Sequence, residues 1–304
     1  MLKNIIKCQK LILPLFVFYL GLSASSNAST KSIYGEDNRH LILEESIYHQ
    51  RLGKAVAAQV DQYKLLKSSL GIATYRSESL RSGLNFCSDE RFNEMPSLSD
   101  CSGVLVADDL ILTAGHCMED KTDCTNKSWV FDFDHQSSLY GNEDEILLAQ
   151  NKIYKCQSVV SFSNEKSSGN YIDYALIKLD RKVTDRDPLP IKRVNFPKVS
   201  KNVAVIGHPL GMPKVMVDGI TTALDFSTIN QKIDSDTFSG NSGSPLIDLN
   251  SGSVVGILIR GDVDLEFDID SGCNRIKKCD MKKCKGETFL NYGQFPSKLI
   301  PFKI

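Results

Sequence analysis

Serine and glycine alternate in the run Gly240-Asn241-Ser242-Gly243-Ser244-Pro245, the segment of this chain best suited to covalent chemistry. A serine flanked by glycines can be held on a tight turn, with its hydroxyl exposed and neighbouring backbone N–H groups directed into one small space. An acyl-transfer nucleophile needs that arrangement. Clusters of Gly and Ser usually form ordinary loops, however, so the interpretation depends on residues elsewhere in the chain.

A serine nucleophile also needs a base within hydrogen-bond reach and a third group that orients the base. His116 is the best candidate base, because it directly follows the apolar run Leu110 to Leu112 in the segment Thr113-Ala114-Gly115-His116-Cys117. We interpret the other histidines as surface or turn residues; they are His40, His49, His135 and His208.

Composition places these residues in a folded chain with a core. The 304 residues are 41% hydrophobic and 24% charged, which suits one large domain or two small ones. The formal net charge is -1 and no basic patch is evident, so a nucleic-acid partner is not expected.

The first 28 residues have the pattern of a secretory signal. Lys3, Lys7 and Lys10 form a basic start, an apolar run extends from Leu11 to Leu22, and Ser26-Asn27-Ala28 offers small residues for cleavage. A membrane anchor is the alternative, but such a run is too short to span a bilayer of roughly 30 Å. We therefore expect a secreted or periplasmic protein without a stable membrane anchor after removal of the signal.

The cysteines agree with export. Cys8 leaves with the signal, and an even number remains, which in an exported protein predicts disulfides. Cys273, Cys279 and Cys284 could instead bind zinc, but their spacings are C-x5-C and C-x4-C without a nearby histidine. We favour a disulfide-tied loop and expect no metal.

Short β-like runs separated by turn residues fill the chain from Gly71 onward, and long segments of helical period are absent over most of this span. This spacing indicates an all-β protein of the barrel or sandwich class. The runs are Val104 to Val106, Leu110 to Leu112, Trp129 to Phe133, Ile153 to Tyr154, Tyr171 to Leu179, Val203 to Ile206, Val215 to Val217 and Val254 to Ile259.

Two motifs together resemble the trypsin-like, chymotrypsin-fold serine peptidases. The first is Cys101-Ser102-Gly103 followed by Thr113-Ala114-Gly115-His116-Cys117, and the second is the serine run described above. The resemblance implies a Cys101–Cys117 disulfide beside a catalytic histidine. It also implies two six-stranded antiparallel β-barrels with the active site in the cleft between them.

The resemblance and the positions of turn residues divide the chain into five parts. The proline-bearing segment 187–190 is expected to connect the two barrels. The five parts are a signal peptide (1–28), an N-terminal segment with a short pro-segment and the first strand (29–70), a first β-barrel (71–187), a second β-barrel (188–268) and a cysteine-bearing tail (269–304).

The family requires an aspartate between the two motifs, leading a buried strand. Asp173 does so in the run Asp173-Tyr174-Ala175-Leu176-Ile177-Lys178-Leu179, whereas its nearest rival, Asp180, ends that strand. The resemblance then implies that Ser242 attacks the peptide carbonyl, that His116 acts as general base and acid, and that Asp173 orients the imidazole. The backbone N–H groups of Gly240 and Ser242 are expected to form the oxyanion hole.

Within the family, Asp234-Ser235-Asp236-Thr237 and the segment 33–39 resemble bacterial secreted glutamyl endopeptidases. Asn241 stands where animal trypsins carry an aspartate that pairs with a freed N-terminus, so we do not expect activation of the trypsin type. A short pro-segment is expected to be trimmed after Lys31 instead.

Four residues are expected to bind substrate: Asp236, Thr237, Leu258 and Gly261. Asp236 matches the position at which trypsins recognise Lys or Arg, and Leu258 replaces the histidine that the glutamyl enzymes carry. These features favour a basic residue before the scissile bond. Arg260, at the rim of the pocket, either favours an acidic neighbouring residue or is simply solvated.

The sequence as a whole predicts a monomeric serine endopeptidase that acts on protein or peptide substrates without a cofactor. The alternative is a catalytically silent homologue that serves as an extracellular binding protein. Silent homologues usually lose a member of the catalytic set, and all three members are present here.

Overall fold

The computed structural model describes residues 33–120, 122–134, 139–140, 144–191, 202–220, 228–261, 263–279 and 286–291. The predicted signal peptide, the Lys31 cleavage site, His135 and Cys284 lie outside these residues.

Strands dominate the described residues, in agreement with the predicted all-β class. The strands are β1 (Ile33–Tyr34), β2 (Arg39–Leu41), β3 (Val56–Asp61), β4 (Leu65–Ser69), β5 (Ile72–Arg76), β6 (Glu78–Ser79), β7 (Pro96–Ser97), β8 (Cys101–Ala107), β9 (Leu110–Thr113), β10 (Lys127–Val130), β11 (Leu139–Tyr140), β12 (Glu145–Ala149), β13 (Ile153–Ser167), β14 (Asn170–Leu179), β15 (Val203–Gly207), β16 (Val215–Val217), β17 (Asn230–Ile233), β18 (Pro245–Asp248), β19 (Ser253–Arg260), β20 (Leu265–Asp268), β21 (Cys273–Ile276), β22 (Lys278–Cys279) and β23 (Glu287–Asn291).

The helices of the described residues are short. The α-helices are α1 (Ile47–Gly53), α2 (Leu80–Leu84) and α3 (Asp123–Asn126), and the 3-10 helices are Ile42–Glu44, Gln62–Lys64, Gly115–Met118, Gln150–Lys152 and Pro209–Gly211. None of them has the length and apolar character needed to cross a membrane.

Six strands close into an antiparallel barrel in the order β10-β13-β14-β9-β8-β3, and β10 completes the ring by pairing with both β13 and β3. This confirms the first six-stranded barrel. Trp129 is fully buried inside it, and a Cβ atom on Gly103 would lie 2.6 Å from the Trp129 ring. The glycine of the Cys101-Ser102-Gly103 motif therefore makes room for the largest side chain of the core.

The second half of the molecule is built on seven strands in the order β17-β23-β19-β18-β15-β16-β2. We predicted a second six-stranded barrel here. Among the described residues this sheet has seven strands, and its hydrogen-bonded order does not close. Some of its apolar residues, such as Val205 and Phe289, form a second core cluster, whereas others, such as Ile206 and Ile257, pack in one cluster with residues of the barrel.

The N-terminal and C-terminal segments contribute to both halves beyond the predicted boundaries. β3 belongs to the barrel although it precedes residue 71, and β23 belongs to the second sheet although it follows residue 268. The pairing of β3 with β8 and β10 joins residues far apart in the chain, and the local periodicity of the sequence does not report such contacts.

The seam at 187–190 connects the two halves through backbone hydrogen bonds. Leu189 N donates to Leu105 O at 2.9 Å in the barrel, and Val254 N donates to Pro190 O at 2.9 Å from the second sheet. The connecting segment is thereby fixed to both halves.

Three disulfides join described cysteines: Cys101–Cys117, Cys124–Cys156 and Cys87–Cys273, at sequence separations of 16, 32 and 186. The first is the pair implied by the family resemblance. Cys279 is also disulfide-bonded, so neither Cys273 nor Cys279 is a thiolate that could hold zinc.

Candidate active site

His116 and Asp173 meet in the barrel half of the molecule. His116 lies in the 3-10 helix Gly115–Met118, directly after β9, and Asp173 lies in the neighbouring strand β14. Asp173 Oδ2 is 2.8 Å from His116 Nδ1, and Asp173 Oδ1 accepts the backbone N–H of His116 at 2.9 Å. The buried carboxylate thus places the proton on Nδ1 and leaves Nε2 as an acceptor on an imidazole whose side chain is 32% exposed.

Gly115 allows this close approach. A Cβ atom there would lie 2.1 Å from Ser163 O and 3.0 Å from Asp173 Oδ1. Ser163 belongs to β13, which pairs with β14 so that Asn164 stands opposite Asp173. The glycine before the histidine is therefore required by packing against the strand pair that carries the aspartate.

Ser242 lies on a turn that is anchored to β19. Gly243 N donates to Leu258 O at 2.7 Å, and Leu258 N donates to Ser244 O at 2.9 Å. These two bonds hold the residues that follow Ser242 against the strand, so the serine stands near the C-terminal end of β19.

Two N–H groups of this turn, those of Gly240 and Ser242, donate no hydrogen bond to any residue that the structure describes. Asn241, between them, donates to Phe238 O at 2.9 Å. Gly240 has a φ of 90°, a left-handed conformation that favours glycine. Two N–H groups without an acceptor, one on the serine and one two residues before it, suit the binding of a developing negative oxygen.

The serine turn also lies against the turn that carries His116. Cys117, the neighbour of His116, has its Sγ 3.8 Å from Ser242 O. A hydrogen bond between Ser242 Oγ and the imidazole is not found among the described contacts. Bonds of this kind often tighten only when substrate is bound.

Ser102, a residue of the barrel, connects the parts of the site. Its hydroxyl donates to Gly240 O at 2.8 Å and accepts His208 N at 3.0 Å. Its N–H donates to Ser242 O at 2.8 Å, and its carbonyl accepts Thr113 Oγ1 at 2.7 Å. No role for Ser102 is predicted from the sequence, although a serine inside an apolar strand is a signal for a buried hydrogen bond.

His208 lies in a turn, as expected, but it is buried rather than at the surface. Its ring stacks on Phe133 with centroids 5.5 Å apart, and Nδ1 is 3.1 Å from Met212 O. Burial, with a smaller effect of the Lys214 charge, lowers the pKa of His208 to about 3. The neutral ring therefore supports the wall behind Gly240, where a Cβ atom would lie 2.4 Å from His208 O.

Asp236 binds the N-terminal segment. Its Oδ1 accepts the backbone N–H of Tyr34 at 2.7 Å, and its Oδ2 accepts that of Asn38 at 2.9 Å. Burial raises the pKa of Asp236 to about 6, and the two N–H donors oppose that rise. The carboxylate therefore fastens residues 33–38 beside the serine turn.

Thr237 and Leu258 are buried, and Gly261 is exposed at the end of β19. A Cβ atom on Gly261 would lie 2.4 Å from Glu287 Oε2. Glu287 is fully buried, and its Oε1 accepts a hydrogen bond from the Tyr34 hydroxyl at 3.2 Å. This carboxyl group is not predicted from the sequence, because β23 lies in the segment expected to be a C-terminal tail.

Arg39 links the N-terminal segment to the same wall. Its guanidinium is buried between the rings of Phe92 (5.1 Å) and Phe238 (4.7 Å), and it forms a bidentate pair with Asp37. Phe238 precedes the serine turn by only a few residues. The N-terminal segment is therefore part of the structure that holds the turn in place.

Asn241 is buried, and its Oδ1 accepts a hydrogen bond from Ser244 Oγ at 3.3 Å. An amide at this position makes a neutral internal contact. The expectation that the chain does not use an aspartate-dependent activation switch stays a prediction.

Cys101, His116 and Cys117 have potential metal-binding atoms within 4.8 Å of one another. The two sulfur atoms are joined in a disulfide, so they are not thiolate ligands. The cluster is explained by the bridge that fixes the histidine turn to β8.

A protein-family model described as "Trypsin-like peptidase domain" matches residues 101–257. No curated protein matches the chain. The matched region contains the His116 turn, Asp173 and the Ser242 turn.

Several solved protease structures are similar to the chain at low identity. A Glu endopeptidase in complex with MPD is 20% identical with a TM-score of 0.45, over 83% of this chain and 95% of that one. The Vibrio cholerae VesB protease is 12% identical with a TM-score of 0.49, over 86% and 66%. HL collagenase is 15% identical with a TM-score of 0.45, over 84% and 97%.

Proposed function

This chain belongs to the family of trypsin-like peptidases and is a serine endopeptidase, and from that premise we propose that it cleaves peptide bonds through an acyl-enzyme on Ser242. The observation that carries the proposal is the arrangement around the serine turn. A His–Asp pair lies on one side of it, and unused N–H groups lie within it.

In the proposed reaction, Ser242 Oγ attacks the scissile carbonyl carbon while His116 Nε2 takes the hydroxyl proton. The tetrahedral intermediate collapses when His116 returns that proton to the leaving amine, which breaks the C–N bond. Water then attacks the acyl-enzyme by the same route in reverse and releases the acid. Asp173, which accepts Nδ1–H at 2.8 Å, stabilises the imidazolium that forms twice per cycle.

The N–H groups of Gly240 and Ser242 are the proposed donors to the intermediate's oxygen. Each donor of this kind contributes about 3 kcal/mol to transition-state stabilisation. Support for this role comes from their lack of other acceptors among described residues and from the buried Ser102 hydroxyl, which fixes the Gly240 carbonyl.

For the residue before the scissile bond we propose a basic side chain. The proposed pocket is lined by Thr237 and Gly261, and the buried carboxyl of Glu287 lies close to Gly261, whereas both oxygens of Asp236 accept backbone N–H groups of the N-terminal segment. An acidic group beside the pocket favours a cation. A peptide library should show cleavage after Lys or Arg, and a profile without that preference contradicts this assignment.

We further propose that the protein acts outside the cytoplasm. The disulfides of the described residues form and persist in oxidising compartments, and the N-terminal 28 residues have the composition of a secretory signal. Cell fractionation with N-terminal sequencing of the exported form tests this proposal.

The direct test of the reaction is labelling with a fluorophosphonate, which reacts with an activated serine. The mature protein should be labelled stoichiometrically, and Ser242→Ala should abolish labelling and peptide hydrolysis together. Ser251→Ala, at an exposed serine outside the site, is the matched control and should label normally. A folded wild-type protein that does not label favours the silent binding protein instead.

A further inference from the structure

Two cations lie against the ring of Tyr171, and a third lies on the strand to which Tyr171 is hydrogen-bonded. The guanidinium carbon of Arg260 lies 4.1 Å from the centre of the Tyr171 ring, and Lys166 Nζ lies 5.1 Å from it. Lys232 lies in β17, the strand whose Asn230 is hydrogen-bonded to Tyr171, and its ammonium donates to Gly286 O at 3.1 Å. We call Lys166, Tyr171, Lys232 and Arg260 the basic rim.

The basic rim lies next to the proposed catalytic residues. Tyr171 precedes Asp173 by two residues in β14, and Arg260 follows Leu258 by two residues in β19, where Leu258 N is bonded to the serine turn. At about 3.3 Å per residue along a strand, each of these two-residue separations is roughly 7 Å. An extended peptide covers that length in two residues.

The rim also bridges the two halves of the molecule. Asn230 Oδ1 accepts Tyr171 N at 2.6 Å, and Asn230 Nδ2 donates to Tyr171 O at 2.8 Å. This two-bond clamp joins β14 of the barrel to β17 of the second sheet. The position of the tyrosine, and of the cations around it, is therefore fixed relative to the cleft.

The charges of the rim are not balanced locally. Among the residues that the structure describes, Lys166, Lys232 and Arg260 form no ion pair with a carboxylate, although the whole chain has a net charge of -1. The pKa of the Tyr171 hydroxyl is lowered, first by the hydrogen-bonded ammonium of Lys166 and further by Arg260 and Lys232. The tyrosine thus experiences a positive local potential.

Stacking does not use the hydrogen-bonding capacity of Arg260. A guanidinium on an aromatic face keeps its N–H donors in its own plane. The Arg260 side chain makes no hydrogen bond to another described residue, and it is exposed. An ammonium, a guanidinium and a phenol hydroxyl together form a set of donors suited to a carboxylate.

We propose that the basic rim is a substrate subsite that binds an acidic side chain of the peptide, two or three residues away from the scissile bond. The inference rests on the proposed endopeptidase function. It identifies the preferred substrates as peptides with Asp or Glu near the cleavage site, in addition to the residue that occupies the primary pocket.

The test compares matched fluorogenic peptides that carry either Glu or Gln at one position, scanned over four positions on each side of the cleaved bond. Wild-type kcat/KM should favour Glu over Gln by roughly three- to tenfold at a position two or three residues from the bond, the range for a few exposed charge pairs. The preference should appear mainly in KM and should weaken as salt rises.

Variants assign the preference to the rim. Arg260→Ala and Lys166→Ala should each bring the Glu/Gln ratio towards one, and Arg260→Glu should invert it in favour of a Lys-containing peptide. Lys67→Ala, at an exposed lysine of β4 outside the cleft, is the matched control and should keep the wild-type ratio. A ratio near one in the wild type overturns the proposal, and so does an Arg260→Ala protein that loses activity equally on both peptides.

A separate measurement distinguishes this proposal from the proposed function. Fluorescence anisotropy of the Glu and Gln peptides with the Ser242→Ala protein measures the subsite without catalysis, and tighter binding of the Glu peptide is expected. If fluorophosphonate labelling fails while this difference persists, the subsite stands and the enzymatic mechanism does not. Equal binding of the two peptides contradicts the subsite whatever the activity.

Discussion

Both oxygens of the buried Asp173 carboxylate accept hydrogen bonds from His116. One oxygen accepts Nδ1–H of His116 and the other accepts the backbone N–H of the same residue. The ring and the main chain of His116 are thus oriented together by a group that solvent does not reach. Asp236 is a second buried carboxylate, but both its acceptors hold backbone of the N-terminal segment.

Asp173→Asn should lower kcat by about four orders of magnitude, because an amide in that place no longer favours the tautomer with the proton on Nδ1. The fold should persist, since the amide occupies the same volume. Steady-state kinetics together with circular dichroism check the prediction. A loss below about tenfold would falsify the assigned role of Asp173.

Asp236 should make stability depend on pH in an unusual direction for an aspartate. Its folded pKa of about 6 lies above the ordinary value of 3.8. The folded state therefore binds the proton more tightly, and the contribution of this group to the free energy of unfolding falls as pH rises from about 4 to about 6. By linkage the total fall is about 3 kcal/mol.

Denaturant unfolding of the wild type and Asp236→Asn at pH 4 and pH 7 measures this effect. The difference in unfolding free energy, wild type minus variant, should be smaller at pH 7 than at pH 4. Parallel pH profiles for the two proteins would show that the Asp236 carboxyl titrates normally.

At the level of secondary structure, the site consists of three turns that neighbouring strands hold in place. The histidine turn follows β9, the serine turn precedes β18, and the His208 turn follows β15. Ser102 in β8 hydrogen-bonds to the serine turn and to the His208 turn. Gly240 stands where two of these turns come closest.

Gly240→Ala should reduce kcat by roughly a hundredfold, because the new Cβ would meet His208 O at 2.4 Å and displace the proposed oxyanion donor. Gly169→Ala is the matched control, since Gly169 also has a positive φ of 83° but open space around the Cβ position. The control should lose some stability and keep its kcat. Equal kcat values for the two variants would argue against the donor role of Gly240.

For the whole molecule, disulfides connect segments that are far apart in the chain. Cys87–Cys273 joins the loop after α2 to β21 across 186 residues, whereas Cys124–Cys156 closes only 32 residues. In the chain-entropy model, a longer closed loop constrains the unfolded chain more strongly. The long-range bridge is therefore expected to contribute more to stability.

Replacing Cys87 and Cys273 by alanine together should lower the free energy of unfolding by roughly 5 kcal/mol, against about 4 kcal/mol for the same change at Cys124 and Cys156. Reversible unfolding in denaturant, with both double variants measured under identical conditions, checks the order. A larger loss from the shorter loop would show that native-state contacts, rather than loop entropy, decide the effect.

The sequence by itself determined the all-β class and the strands around the motifs, and the resemblance of those motifs to a known family implied the Cys101–Cys117 pair and the catalytic set His116, Asp173 and Ser242. The evidence is local in the chain: short apolar runs, glycines beside a serine, and residues at the ends of strands. Most predicted strands match observed ones, including Val215–Val217 without change.

Only the tertiary structure revealed that β3 and β23 complete the two halves, that Ser102 and His208 support the serine turn, and that Asp236 holds the N-terminal segment. It also brought Glu287 beside Gly261 and Arg260 onto Tyr171. Each of these contacts joins residues far apart in the chain, and hydrophobic periodicity predicts only local structure. The turn around Ser242 is therefore recognisable from its own residues, whereas its supports and the basic rim depend on how the two halves pack together.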